Sequence, residues 1–258
     1  MTRRMWPDRV DILGIAIDGV TLAEAVRRVR SAWSGAAPRS GWHVITANPE
    51  LVMHALRPDP PGPQVRAALE RADMVVADGI GLVWASRVLG TPLPERVAGI
   101  ELAEASVADG APDGLRLYLL GGRPGVAAEA GRRLAARYPG LQVVGTGHGY
   151  FGPEETAQVV AAVHKAAPDL LLVGLGAPKQ ELWIARHRHE LGARVLIGVG
   201  GALDVFAGRV RRAPVLFQRL GLEWAYRLAR EPWRARRMSA LPRFVARVLW
   251  EQWRKGGA

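Results

Sequence analysis

Apolar residues in the first two hundred positions fall in short unbroken runs, each followed by sequence with helical spacing. The runs are VDILGIAID (10–18), WHVIT (42–46), ADMVVA (72–77), LRLYLLGG (115–122), LQVVGTG (141–147), DLLLVGLG (169–176) and ARVLIGVGG (193–201). Runs that do not alternate with polar residues predict strands covered on both faces, hence a parallel sheet. Strand–helix repetition predicts an α/β fold, doubly wound and Rossmann-like with a mostly parallel sheet. Helix starts are readable too. Thr21 and Glu24 form a capping box before a helix to about Trp33. Asn48 is an N-cap with Pro49 at the first helical position. Asp78-Gly79 precedes a helix running through Trp84 to Leu89.

After residue 208 the strand signals stop. The remaining sequence reads as two or three amphipathic helices, broken by Pro214, Pro232 and Pro242. The chain therefore divides into a body, 1–208, and a basic helical appendage, 209–258. Charge sharpens that division. The appendage holds thirteen Lys or Arg against Glu223, Glu231 and Glu251, so it carries ten of the eleven net positive charges. It also holds Trp224, Trp233, Trp250 and Trp253. Such asymmetry calls for an anionic partner, either nucleic acid or a membrane surface. Arginines interleaved with Leu, Val, Phe and Trp at helical spacing suit a membrane interface, which argues against nucleic acid. A nucleic-acid-binding α/β protein is the alternative reading. A helical arm packing on a second subunit, in a homo-oligomer, is the plain one. No window holds eighteen consecutive apolar residues, and the N-terminus lacks a signal peptide's apolar stretch. The expected location is cytoplasmic, peripheral on the inner face of the plasma membrane. The chain has no cysteine, which excludes disulfides and thiolate chemistry.

In an open α/β sheet, ligands bind beyond the carboxyl ends of the strands. The polar residues there are Thr46, Asn48, Asp78, Gly121, Gly122, Thr146, His148, Lys179, Gln180 and Asp204. Asp78 leaves an apolar strand for a glycine turn, where a carboxylate serves as a general base or as a helix cap. Asn48 is a structural cap on its local sequence, and Thr46 lies one strand step away. The turns LLGGRPG, GLGAPKQ and GVGGALD offer bare backbone amides to a phosphate, although short left-handed turns use glycine equally. None is a full dinucleotide fingerprint, which disfavours an NAD-dependent oxidoreductase, and no P-loop occurs. His187 and His189, two apart, read as solvent-facing and not as metal ligands. No Asp-x-Asp occurs, so the usual divalent-metal handle for a nucleotide diphosphate is missing, and neither metal nor cofactor is expected. A leaving diphosphate then needs cations from the chain, with Arg96 and the appendage arginines as candidates.

The strings TANPELVMHAL, ADMVVADGIGLVWASRVLG, PLPERVAG, LYLLGG, GTGHGYF, PDLLLVGLGAPKQELWI, GVGGALDVFAG and RRAPVLFQRLGLEWAYRLAREPWRARRM occur in that order. Together they resemble the WecG/TagA/CpsF family of bacterial glycosyltransferases over roughly residues 10–245. The resemblance implies inverting transfer of N-acetylmannosamine, or a related sugar, from its UDP donor. The implied acceptor is N-acetylglucosamine on undecaprenyl diphosphate, as in wall teichoic acid, enterobacterial common antigen or capsule assembly. It makes Asp78 the general base, with Thr46 and Asn48 lining the sugar pocket. Arg96 would contact acceptor or diphosphate, and Gln180 would sit near the reacting sugar. Asp204 and the glycine turns, with Gly121, Gly122 and Gly176, would hold the nucleotide, and Tyr150 and Lys179 count with these substrate-binding positions. Arg227, Arg234 and Arg237 match the family's appendage arginines, which close over the site. One departure is visible: Ile100-Glu101 stands where the family habit is Ile-Asp.

Overall fold

The first apolar run is not one strand, as expected over 10–18, but two. Arg9–Ile12 (β1) and Ile15–Asp18 (β2) pair antiparallel as a separate hairpin, Arg9 opposite Asp18 and Ile12 opposite Ile15. Leu13 (φ 56°) and Gly14 (φ 80°) form the turn. Two successive positive φ values give the hairpin turn whose twist matches its strands. Val10 and Ile12, then Ile15 and Ile17, are buried, so the side-chain parity flips across Leu13-Gly14. Asp18, also buried, accepts from Val75 N–H (2.8 Å) and Arg28 Nη1 (3.1 Å), which ties the hairpin to the main sheet.

The computed structural model describes residues 8–35, 39, 41–214, 216–217, 223–230 and 239–256. After the hairpin come α1 (Leu22–Ser34), β3 (Trp42–Ala47), α2 (Pro49–Ala55), α3 (Gly62–Glu70), β4 (Met74–Ala77) and α4 (Ile80–Val88). Then follow α5 (Gly99–Gly110), β5 (Arg116–Gly121), α6 (Val126–Arg137), β6 (Gln142–Gly147), α7 (Thr156–Ala166), β7 (Leu170–Gly174), α8 (Lys179–His187), β8 (Val195–Gly198) and α9 (Ala202–Phe206). The described appendage contains α10 (Glu223–Arg230) and α11 (Ala240–Gly256). The capping box at α1 forms as the sequence predicts, with Thr21 and Glu24 each accepting from the other's backbone N–H.

β3 to β8 make one six-stranded sheet in the order β4-β3-β8-β7-β5-β6, every neighbouring pair parallel. Its unbroken apolar runs are explained by cover on both faces. Val44, Val76, Leu117, Leu119, Leu170, Leu172, Val195 and Ile197 meet residues of α1, α5, α6 and α9 on one side. On the other, Ile45, Ala47, Val75 and Ala77 face the hairpin, α2, α3 and α4, while Leu120, Leu171, Val173 and Leu196 face α7 and α8. His43 is the polar intruder at the amino end of β3. Burial, and then the Arg188 guanidinium, push its imidazole down to about 3, so it is neutral.

The last helix belongs to this packing. Phe244 and Val248 of α11 are buried in the same cluster as α2 and α4, against which α11 lies. Pro242, expected to break a helix, sits in the first turn of α11. The ring costs nothing there, because a first-turn N–H has no intrahelical acceptor.

Candidate functional site

The connection from β5 runs outward to β6, whereas that from β7 runs the other way to β8. Adjacent strands whose connections diverge leave a crevice at their carboxyl ends. The glycine turns gather here. Gly121 has φ 146°, and a Cβ on it would lie 2.4 Å from Gly174 O, so only glycine lets β5 and β7 end this close together. Gly122 N–H donates to Gly174 O (3.3 Å), and Gly149 N–H donates to Gly122 O (2.8 Å). Gly176 (φ 80°) faces open space.

Gln180, in the first turn of α8, fastens two of these turns together. Its buried Oε1 accepts from Gly176 N–H (3.2 Å) and from Gly200 N–H (3.0 Å). Its Nε2 donates to Glu181 Oε1 (2.8 Å). A Cβ on Gly198 would lie 2.7 Å from that Nε2, so β8 must end in glycine for the amide to fit. Gln180 therefore shapes the floor between β7 and β8. Thr46 extends the lacing to β3: its buried hydroxyl donates to Gly198 O (2.9 Å).

The second group lies at the carboxyl ends of β3 and β4. Asn48 caps α2 as the sequence predicts, its Oδ1 accepting from Leu51 N–H (2.9 Å). Asp78 N–H donates to Ala47 O (2.6 Å), which sets the two turns side by side. Asp78 is half-buried and does not cap α4. Gly79 occupies that position, and no side chain serves as the cap. Its Oδ2 instead accepts from Gly99 N–H (3.3 Å), the first residue of α5. A carboxylate at a helix N-terminus is favoured by the exposed amides there, so Asp78 is held by a different helix from the one its sequence suggests. Gly99 is tightly placed: a Cβ on it would meet Thr46 Oγ1 at 3.0 Å.

Two residues along α5, Glu101 anchors arginines. Its Oε1 accepts from Arg96 Nη2 (2.8 Å) and also from Arg212 Nη2 of the appendage. Glu223 Oε2 lies 3.9 Å from Arg96 Nη1 and 3.7 Å from Arg212 Nη2. Thus the departure at Glu101 is one point, besides the α11 packing, where the body meets the residues beyond 208. Arg212 had no spacing signal in the sequence, being one of several arginines in a basic run.

The other candidates lie around these two groups. Tyr150 is exposed after β6, and Lys179 Nζ sits 5.6 Å from the Phe151 ring. Asp204 is half-buried in the first turn of α9, its carbonyl accepting from Arg209 N–H (2.8 Å). The Arg227 side chain, Arg234 and Arg237 lie outside the described residues. His187, expected in solvent, is half-buried with its ring 5.4 Å from that of Trp183; His189 is exposed beyond the end of α8. Among the described residues, no group of three or more His, Asp or Glu is arranged to hold a metal ion.

An open parallel sheet with glycine-rich turns beyond its carboxyl ends places the chain in the doubly wound α/β class, in which ligands bind at that edge. The model of the glycosyl transferase WecG/TagA/CpsF family matches residues 10–258. An N-acetylglucosaminyldiphosphoundecaprenol N-acetyl-beta-D-mannosaminyltransferase of Bacillus spizizenii is 38% identical over 210 residues, spanning 81% of this chain and 79% of its own. The Staphylococcus aureus (strain MRSA252) protein of that name is 34% identical over 240 residues, spanning 93% and 92%. The chain belongs to the WecG/TagA/CpsF family of glycosyl transferases.

Proposed function

We propose that this enzyme transfers N-acetylmannosamine, or a closely related sugar, from a UDP donor to N-acetylglucosamine carried on undecaprenyl diphosphate. The observation that carries the reading is the single turn of chain from Arg96 to Glu101. It holds the Asp78 carboxylate through Gly99 and the Arg96 guanidinium through Glu101. In an inverting transfer, a carboxylate takes the proton of the acceptor hydroxyl as its oxygen attacks the anomeric carbon. The nucleotide diphosphate leaves with the electron pair of the broken C–O bond. Asp78 is the base, which contributes about 10²–10⁴-fold. The arginines meet the charge that grows on the leaving group, at about 3 kcal/mol for each preorganised donor. Thr46 and Asn48 border the sugar, while Gly121, Gly122, Gly176, Tyr150, Lys179 and Asp204 border the nucleotide. Neighbouring strands are about 4.8 Å apart, so β4 and the β5–β7 crevice are roughly 17 Å apart, a span suited to an extended nucleotide-sugar.

The appendage brings the enzyme to an anionic membrane surface on the cytoplasmic side. Two features of α11 support this. Val245, Leu249 and Trp253, spaced four apart, are exposed along one stripe with Trp250 beside them. Arg243, Arg247, Arg254 and Lys255 flank that stripe. No helix among the described residues is long and apolar enough to cross a membrane, so α11 would lie on the surface. The test is a panel of UDP-sugars incubated with a lipid-diphosphate-N-acetylglucosamine analogue, reading UDP release with and without EDTA. UDP-N-acetylmannosamine should be turned over and chelation should leave the rate unchanged. Release of UDP from none of the panel would refute the reading, and a rate abolished by EDTA and restored by Mg²⁺ would refute its metal-free part.

A further inference from the structure

The cluster of Arg96, Glu101, Arg212 and Glu223 is unusual in one respect: two guanidinium groups donate to the same carboxylate oxygen. Like charges are brought together there instead of being spread over the available acids. All four side chains are largely covered, between 17% and 24% exposed, so solvent screens that repulsion only in part. Glu223 lies at ion-pair distance from both arginines, 3.7–3.9 Å, whereas Glu101 accepts a direct hydrogen bond from each. Moreover, Arg212 Nε is buried with no hydrogen-bond partner among the described residues. A buried cationic N–H without an acceptor is costly in a resting protein, and an oxyanion would satisfy it.

We propose that Arg212 is a second anion-binding arginine of the active site, paired with Arg96, and that Glu101 is the positioning residue that sets both guanidinium planes. This inference rests on the transfer reading above and adds a residue to it. The place is right. Glu101 lies in the first turn of α5, two residues after the Gly99 N–H that holds Asp78. The base anchor and the arginine anchor are therefore adjacent in one helix start. The charge is right as well. During transfer the nucleotide diphosphate departs with the C–O bonding pair, while the acceptor proton goes to Asp78. The departing diphosphate gains one negative charge, and a pair of forked donors already held in register meets it without rearrangement. Glu101 contributes by direction and not by contact. Its carboxylate near the α5 amides is favourably placed, and by gripping each arginine through Nη2 alone it fixes the guanidinium plane while leaving the other N–H groups unused by Glu101.

The experiment uses the full-length enzyme and calorimetric binding of UDP and UMP beside steady-state UDP release. Arg212→Gln should weaken UDP binding at least tenfold and change UMP binding about threefold or less, because the second phosphate is the group that the pair grips. Arg212→Lys, which keeps the charge but not the fork, should fall between, and serves if the Gln variant melts early. Glu101→Gln should lower kcat more than tenfold with a KM change below threefold, and Glu101→Asp should recover most of it. A purely structural role would move UDP and UMP binding together and would follow the melting temperature. If either Arg212 variant, folded by circular dichroism, binds UDP as the wild type does, the inference is overturned while the transfer reading stands. If the wild type itself neither binds UDP nor releases it from any UDP-sugar, both fall together.

Discussion

Replacing Gln180 with leucine removes three hydrogen bonds while keeping nearly the same volume. Two are accepted from Gly176 and Gly200, and one is donated to Glu181. At about 1 kcal/mol net each, the loss is about 3 kcal/mol, and stranded amides push it upward. In a chain of this size, about 3 kcal/mol lowers the melting temperature by roughly 6–12 °C. Turnover should fall further than stability implies, because the β7 and β8 turns lose their common fastening. Gln180→Glu separates the two effects. It restores the acceptor for both glycine amides but sets a second carboxylate against Glu181, and such a pair shares one proton. The folded state of that variant then binds more protons than the unfolded state above about pH 4.3, so stability falls as pH rises through the raised pKa. Thermal melts from pH 4.5 to 8, with UDP-release rates at each pH, measure both. A Gln180→Leu variant within about 1 kcal/mol of wild type, or a Gln180→Glu variant as stable at pH 8 as at pH 5, would refute the fastening role.

Asp78→Asn should preserve the fold and UDP binding while cutting turnover by about two or more orders of magnitude; near-normal turnover removes Asp78 as the base. His43 is held neutral at about 3 by burial, so the unfolded state binds the extra proton between about pH 3 and 6.5. Stability should therefore rise with pH across that window, being roughly 2 kcal/mol lower at pH 5 than at pH 7.5, and His43→Phe should flatten the slope measured by urea titration. Replacing Arg227, Arg234 and Arg237 together with Gln should cripple turnover on a short water-soluble acceptor and leave binding to anionic vesicles nearly unchanged. Replacing Arg243, Arg247 and Arg254 should do the reverse, each lost charge costing about 1 kcal/mol of surface attraction in vesicle co-sedimentation.

Most of the sheet was legible because its strands are buried on both faces, and a run such as LLLV at 170–173 has no other comfortable use. The hairpin was not, because VDILGIAID is continuous in hydrophobicity; the signal was the parity flip at Leu13-Gly14, which only a turn explains. Asn48 was readable because a cap is local, its acceptor and donor three residues apart. Asp78 was half-readable. Its strand-end position is local, but the helix it serves begins at Gly99, and no local pattern links the two. The same holds for the bond of Gln180 to Gly200 and for Arg212, whose partner Glu101 lies on α5. The packing of Phe244 and Val248 onto α2 and α4 was hidden by the basic residues between them, which marked the segment as an amphipathic appendage without saying which face packs on the body.

The crosswise bonds at the carboxyl edge have a mechanical consequence. Ala47 O to Asp78 N, Thr46 Oγ1 to Gly198 O, Gln180 to Gly176 and Gly200, and Gly174 O to Gly122 N rivet five consecutive strands, from β4 to β5, into one plate. A plate pinned at these seams resists bending, so adjustment to a bound molecule falls first on the side chains and ion pairs above it. Above it, Arg96 and Arg212 are joined through ion pairs on Glu101 and Glu223, while α11 is held to the body by its buried Phe244 and Val248. Ion pairs can exchange one anion for another without repacking any core, whereas the plate beneath would have to break hydrogen bonds to move. The shape of the sheet edge is thereby set by hydrogen bonds, and the contact above it by ion pairs.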